Sequence, residues 1–196
     1  MFGARFNTSM AAFGLCAISA LAIGLPQRAD AHGPTRQKVI ETIDISATPD
    51  KVWKVMGNFQ DMSWLPGVKS TTGTGGNTTD PKNDDNEVAK RTLTLDSGGV
   101  IQEGLYKYDA AEHIYAYRID KVDIKVLPVN DYSSMIKVEP SADGKGSTVT
   151  WKGAFYRGYM NNDPPPDQDD AASKAAVQKI YKAGLSNLKK KVEGAS

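Results

Sequence analysis

The sequence predicts an α+β fold in which an antiparallel sheet is followed by one long helix. Two observations carry this prediction. Five strand-like runs separated by short turn sequences follow one another between residues 87 and 157, a spacing typical of an antiparallel meander. Near the C-terminus, apolar residues then recur at helical spacing: Val177, Ile180, Tyr181, Gly184, Leu185, Leu188 and Val192.

A first strand and a short helix precede the meander. Three apolar residues alternate with polar ones and mark the strand: Val39, Ile43 and Ile45. Thr48 is a good N-cap, Pro49 suits the first helical position, and Asp50 favours the positive end of a helix. We therefore predict a helix over residues 49–57, with Trp53 on its apolar face as a core residue.

The meander is predicted from five runs, at about residues 87–96, 99–108, 112–122, 131–140 and 147–157. Before it, Thr71 to Asn86 is rich in Gly, Thr, Asn and Asp, which predicts a loop. After it, residues 161–170 contain three successive prolines, which fit neither a helix interior nor a central strand. We predict a stiff, acidic connector there.

For one hairpin of the meander, the sequence predicts which residues of the two strands face each other. The sequence Asp96-Ser97-Gly98 suits a three-residue loop in which Gly98 has positive φ. This loop places Leu93 opposite Ile101 and Arg91 opposite Glu103. Because the two pairs share one face, the charged pair is predicted on the apolar side of the sheet. A buried pair is expensive to desolvate, so it is either well bonded or serves a ligand.

The N-terminal residues 1–31 are predicted to be a cleaved secretory signal. Arg5 gives a positive start, residues 10–25 are an apolar run, and residues 29–31 have the small-x-small form of a cleavage site. A transmembrane anchor is the alternative, although the run is shorter than the roughly 20 residues that span a bilayer. A lipid anchor on Cys16 is disfavoured by the large preceding leucine.

Cleavage would leave residues 32–196, enough for one domain with a sizeable core. This mature chain has no formal net charge, so it lacks the basic footprint of a nucleic-acid-binding protein. The only cysteine of the full sequence, Cys16, would leave with the signal, so the mature chain is expected to have no disulfide, thiol chemistry or cysteine metal ligand. We expect the protein in a bacterial periplasm.

Catalytic and metal-binding patterns are sparse. The mature chain has two histidines, His32 and His113, and a Ser-His-Asp arrangement would need one of them. His113 starts a predicted strand, where we expect an exposed side chain. The new N-terminal His32 has an amine and a ring that could chelate a metal, but His113 would be its only histidine partner. The sequence therefore predicts no catalytic residue, metal or cofactor.

The element order and several local motifs resemble the polyketide cyclase/dehydrase branch of the START-like (SRPBCC) superfamily. The motifs are Ile45 to Trp53, Arg91-x-Leu93-x-Leu95, Ile101-x-Glu103, Tyr132 and Val149-x-Trp151. The resemblance covers nearly all of the mature chain. It implies a helix-grip fold, in which a curved antiparallel sheet wraps around a long C-terminal helix and an apolar cavity. Members are mostly binders or lipid handlers and only sometimes enzymes.

Within this branch, the exported form, the His32-Gly33-Pro34 start and the Trp64-Leu65-Pro66-Gly67 loop resemble the MxaD-type accessory proteins of bacterial methanol oxidation. That likeness implies a non-enzymatic protein that contacts methanol dehydrogenase, its cytochrome c or both. Trp64 and Pro66 would form one contact surface, and the connector with Asp163 and Asp167 another.

The alternative function is binding or cyclisation of a small apolar ligand. The resemblance directs Glu103 and Tyr132 into the cavity, and Arg91 and Tyr117 would help to orient the ligand. Trp64 has two interpretations that the sequence leaves open. It is either a lid or docking anchor at the cavity mouth, or a core residue that closes the open edge of the sheet.

Overall fold

The computed structural model describes Gly3, residues 33–79 and residues 88–194, and all elements below belong to one compact unit, residues 31–196. The predicted signal peptide lies outside the described residues except for Gly3. The elements found in the described residues are β1 (Gln37–Ile45), α1 (Pro49–Met56), β2 (Val68–Thr74), β3 (Lys90–Leu95), β4 (Val100–Asp109), β5 (Ile114–Val122), β6 (Val129–Pro140), β7 (Ser147–Arg157) and α2 (Asp170–Gly194).

The strands form one curved antiparallel sheet in the order β1-β7-β6-β5-β4-β3-β2. The chain passes from β2 to β7 as a meander, and β1 then pairs with β7. Helix α2 packs on β1 and β7, and α1 packs against α2 and β6. The predicted α+β helix-grip architecture is confirmed. No helix in the described part of the chain is long and apolar enough to span a membrane.

Helix α1 begins where its capping residues predict. Thr48 has an extended backbone, and its hydroxyl accepts a hydrogen bond from the Lys51 amide at 3.4 Å. The helix ends when the Gly57 amide donates to the Trp53 carbonyl at 2.6 Å. The Trp53 ring lies over Gly57, where a Cβ atom would come within 2.5 Å of the indole. Trp53 is consequently half-buried and packs against the core, as predicted.

The β3–β4 hairpin has the predicted register. Arg91 pairs with Glu103, Leu93 pairs with Ile101, and Gly98 has a φ of 85°. Both charged side chains lie on the buried face, at 1% and 5% exposure. The turn residues therefore determine where the ion pair lies, because a one-residue slip would have moved both side chains to the solvent face.

The prediction of a loop that starts at Thr71 is partly wrong, since residues 71–74 belong to β2. This strand is polar, lies at the edge of the sheet and, among the described strands, pairs with β3 alone. The Gln60 side-chain amide secures its end: its Nε2 lies 3.0, 3.0 and 3.1 Å from the carbonyls of Thr74, Gly76 and Lys90, so its two protons are shared among the three acceptors. Pairing and these bonds outweigh the weak strand propensity of the sequence. Residues 80–86 of the predicted loop lie outside the described residues.

Helix α2 begins at the last residue of the predicted connector. The Asp169 carboxylate caps it by accepting a hydrogen bond from the Ala172 amide at 2.7 Å. The apolar stripe is buried as predicted, although Ile180 is only half-buried. Residues 161–169 remain outside any helix or strand, which agrees with the predicted connector.

Candidate functional site

A cavity of about 510 Å³ lies between the sheet and the first half of α2. Its wall is mainly apolar and includes Leu93, Ile101, Ile119, Leu127, Val177 and Ile180. Four aromatic residues also contribute to the wall: Tyr117, Tyr132, Trp151 and Tyr181. The carboxylate of Glu103 completes the buried part of the wall. An apolar cavity of this size with a few converging polar groups is typical of small-molecule sites.

Glu103 is held by Arg91 from behind the cavity wall. Arg91 Nε donates to Glu103 Oε2 at 2.6 Å, and Arg91 Nη1 donates to the Phe59 carbonyl at 2.7 Å. The guanidinium also lies over the rings of Phe59 and Tyr117, with its Cζ 4.2 and 4.8 Å from their centres. Arg91 does not itself line the cavity. It positions the carboxylate that does.

Burial shifts the titration of this pair. Burial raises the pKa of Glu103, and the charge of Arg91 opposes that rise. For Arg91, burial lowers the pKa, but Glu103 and the nearby phenols raise it by more, so the net shift is upward. The guanidinium therefore stays protonated. Its Nη2 atom is buried without a hydrogen-bond partner in the described structure, as is the hydroxyl of Tyr115.

A chain of hydrogen bonds joins the far side of the cavity to α2. The hydroxyls of Tyr132 and Tyr181 are 2.5 Å apart, and Tyr181 Oη is 3.0 Å from Ser134 Oγ. Trp151 Nε1 donates to the same Ser134 oxygen at 2.8 Å, and the Trp151 and Tyr181 rings stack 4.1 Å apart. Gly153 leaves the space for this arrangement, because a Cβ there would clash with Tyr181 Oη.

Tyr117 lies between the ion pair and this hydroxyl chain. Its ring centre is 6.2 Å from that of Tyr132 and also 6.2 Å from that of Phe59. Its hydroxyl has no hydrogen-bond partner among the described residues. Burial raises the pKa of Tyr117 well above 10, and the charge of Glu103 adds to the rise. The side chain is therefore a neutral hydrogen-bonding group at physiological pH.

Three of the four predicted ligand-orienting residues line the cavity: Glu103, Tyr117 and Tyr132. The fourth, Arg91, contacts Glu103 instead. Sequence reasoning missed Trp151 and Tyr181 as polar parts of the wall, and it missed Ser134 as the residue that hydrogen-bonds both of them. The helical pattern had placed Tyr181 in an apolar stripe, and only Gly153, a glycine inside a strand, signalled a close approach.

Trp64 is a core residue, so the predicted lid or docking anchor is wrong. Its side chain is fully buried, and its ring packs edge-on against Trp151 with centres 5.4 Å apart. A Cβ on Gly184 would lie only 3.3 Å from the indole, so this glycine lets α2 cover it. Asn187 holds the loop by donating to the Trp64 carbonyl at 2.9 Å. The alternative interpretation, a core residue at the edge of the sheet, agrees with this position.

The other predicted contact residues are exposed. Pro66 lies at the mouth of the cavity, next to the half-buried side chains of Leu65 and Val68. Asp163 and Asp167 lie on the exposed connector and do not line the cavity. The structure thus leaves Pro66 and the two aspartates accessible to a partner.

The prediction that the His113 side chain is exposed is also wrong. The His113 side chain is only 17% exposed; its Nε2 lies 3.0 Å from Asp50 Oδ1, and its ring centre lies 5.5 Å from that of Trp53. The turn before β5 places the imidazole against α1, where it contacts Asp50 and Trp53. His113 does not line the cavity, and His32 lies outside the described residues. No cluster of three potential metal ligands occurs in residues 33–79 and 88–194.

Comparison with known proteins agrees with this architecture. Residues 36–193 match the family model described as polyketide cyclase / dehydrase and lipid transport. No curated protein matches the sequence. The structure is similar to that of the protein XoxI from Bacillus cereus, with 25% identity, a TM-score of 0.63, and coverage of 80% of this chain and 95% of that one.

A second similar structure is the Zhui aromatase/cyclase from Streptomyces sp. R1128. It shares 16% identity and a TM-score of 0.62, with coverage of 81% of this chain and 94% of that one. A protein from Nitrosospira multiformis, at 21% identity and a TM-score of 0.62, matches over 82% of this chain and 100% of its own. These two likenesses concern the fold. With the family model spanning most of its length, this chain belongs to the polyketide cyclase / dehydrase and lipid transport family.

Proposed function

We propose that this protein binds a small apolar molecule in the cavity between its sheet and α2. The main support for this proposal is the cavity itself, which has a volume of about 510 Å³, a mainly apolar wall and buried hydrogen-bonding groups. That volume lies within the usual range of small-molecule sites. Members of this family also include lipid-transport proteins, as its description states.

Binding is favoured over turnover by the state of the ionisable groups in the wall. Glu103 is engaged with Arg91, and burial raises the pKa values of Tyr117 and Tyr132 well above 10. Groups with such pKa values are poorly matched to proton transfer near pH 7. They are well suited to hold a ligand in one orientation.

The experiment compares two neighbouring alanines of α2. Ala176 lines the cavity, whereas Ala175 is exposed and does not. We expect Ala176→Trp to fill the cavity and weaken the binding of the neutral fluorophore Nile red by tenfold or more. Ala175→Trp adds the same side chain outside the cavity and should bind like the unmodified protein. Circular dichroism checks that both variants are folded.

Equal Nile red affinity in the two variants would contradict the proposal, because the fluorophore would then bind elsewhere. Mass spectrometry of the purified protein under native conditions gives a second measurement. A co-purified small molecule that is present with Ala175→Trp and lost with Ala176→Trp would identify the natural ligand.

A second candidate function is the accessory role in methanol oxidation implied by the MxaD-type resemblance. The exposure of Pro66, Asp163 and Asp167 favours it, because these residues are accessible to a partner. The protein would contact methanol dehydrogenase, its cytochrome c or both, without a bound cofactor of its own. Trp64 is not part of this surface, since it is buried.

Binding kinetics on a surface that carries captured methanol dehydrogenase or cytochrome c test this role. Exposed charges act mainly on the association rate, so Asp163→Asn with Asp167→Asn should slow association and reduce its salt dependence. Undetectable association of the unmodified protein at low salt would remove this candidate and leave ligand binding.

We also propose that the mature protein begins at His32 and resides in the periplasm. Its support is the signal pattern of residues 1–31. N-terminal sequencing of the protein from a periplasmic extract tests the cleavage site. Retention of Met1 would contradict it.

A further inference from the structure

The protons of the hydroxyl chain beside the cavity can be assigned from chemistry alone. The Lys152 carbonyl can only accept, so Ser134 Oγ donates its single proton to it, at 2.8 Å. Tyr181 must then donate to Ser134, and Tyr132 must donate to Tyr181. Each of the three hydroxyl protons is therefore used inside the protein. None of them is available to a ligand.

Two buried groups of the wall remain free to bond a ligand. Glu103 Oε2 takes the bond from Arg91, and within the described residues Glu103 Oε1 accepts no hydrogen bond. The Tyr117 hydroxyl likewise has no partner in that part of the chain. The first group is a charged acceptor, and the second can both donate and accept. A ligand that satisfies them must bring at least one donor.

We propose that the ligand is an uncharged, largely apolar molecule with a hydroxyl group that donates to Glu103 Oε1 and accepts from Tyr117. This inference rests on the proposed binding function of the same cavity. An ether or ketone brings no proton, and burying it there would leave the carboxylate oxygen desolvated without a partner. A carboxylate would place a second negative charge beside Glu103, while Arg91 is already engaged by Glu103 and the Phe59 carbonyl. Lys179 also lines the cavity, but it is an exposed residue and its charge is screened by solvent.

The test uses three probes that share one ring system: naphthol, its methyl ether and the corresponding naphthoate. Competition with Nile red gives their affinities for the unmodified protein at neutral pH. We expect naphthol to bind at least tenfold more tightly than the methyl ether, because it adds a hydrogen bond to a charged acceptor. Naphthoate should bind more weakly than either.

Two variants test which residues cause the preference for naphthol over its methyl ether. Tyr117→Phe removes the second hydrogen bond and should weaken naphthol binding severalfold. Its control is Tyr106→Phe, which removes the same hydroxyl from an exposed tyrosine with 45% exposure that does not line the cavity. Glu103→Gln should reduce the ratio of naphthol to ether affinity. If that variant does not fold, the probe series on the unmodified protein still decides.

The outcomes separate this inference from the function on which it rests. Nile red binding with equal affinities for naphthol and ether, or a preference for naphthoate, overturns the hydroxyl assignment and leaves the ligand-binding function standing. Failure of Nile red and all three probes to bind overturns both. A naphthol preference that Tyr117→Phe and Tyr106→Phe reduce equally overturns the assigned position of the hydroxyl.

Discussion

Replacing Arg91 with methionine should destabilise the fold in a manner that depends on pH. The substitution removes two short charge-assisted hydrogen bonds, to Glu103 at 2.6 Å and to the Phe59 carbonyl at 2.7 Å. It also removes the guanidinium from above two aromatic rings. What remains is a carboxylate at 5% exposure without its counter-charge.

The expected loss at neutral pH is about 3–5 kcal/mol, the usual cost of breaking a buried pair by removing one partner. The sign of its pH dependence follows from Glu103. Burial already raises the pKa of Glu103 in the folded protein, and losing Arg91 removes the charge that opposes this rise. A carboxyl whose folded pKa exceeds its unfolded pKa loses stability as pH rises between those two values, by up to about 1.4 kcal/mol per unit.

Urea unfolding followed by tryptophan fluorescence, at about pH 5 and about pH 8, measures both effects. Arg91→Met should lose less stability at the lower pH, where Glu103 is more easily protonated. In the control, Arg91→Met with Glu103→Leu, the stranded charge is gone, so most of the loss and its extra pH dependence should disappear. An equal loss at both pH values, or a double variant no more stable than Arg91→Met, would refute this reasoning.

Three further substitutions test the packing around the cavity by the same unfolding assay. Trp64→Ala should cost about 3–5 kcal/mol, the range for a large buried aromatic, and a loss below about 1 kcal/mol would contradict its core position. Tyr181→Phe should cost about 1–3 kcal/mol, because it strands the proton of Tyr132; no change would show that the hydroxyl chain is not formed. Gly184→Ala gains about 1 kcal/mol of helix propensity. It nevertheless forces a Cβ to within 2.9 Å of Trp151, so overpacking should outweigh that gain. A stabilised variant would show that α2 can move away.

The parts of the fold that the sequence predicts well are those with local signals. The turn at Gly98 fixes the hairpin register, and Thr48 with Pro49 fixes the start of α1. Strand β2 lacks such a signal, because Ser, Thr and Gly have no apolar alternation. Its conformation depends on pairing with β3 and on the side chain of Gln60, which comes from a different segment.

The site was predictable in part for the same reason. Arg91 and Glu103 follow from the hairpin register, and the family resemblance directed Glu103 and Tyr132 inward. The contact of Tyr181 with Ser134 joins residues 47 positions apart, and no local pattern encodes it. The burial of Trp64 depends on Gly184 in α2, which is 120 positions away in the sequence. The local sequence, an aromatic residue beside Leu-Pro-Gly, therefore does not distinguish a buried side chain from an exposed one.

Helix α2 has two roles that are separated along its length. Its second half is buried through Leu185, Leu188 and Val192, and this packing holds the helix on the rest of the core. Its first half contributes Ala176 and Ile180, both half-buried, to the wall of the cavity. The second half anchors the helix, and Tyr181 also bonds it to Ser134 in the sheet. The turn around Ala176 can therefore border an open space without being displaced. A change at Leu188 should therefore act on stability, whereas a change at Ala176 should act on ligand binding, and this separation is what makes the tests of the cavity interpretable.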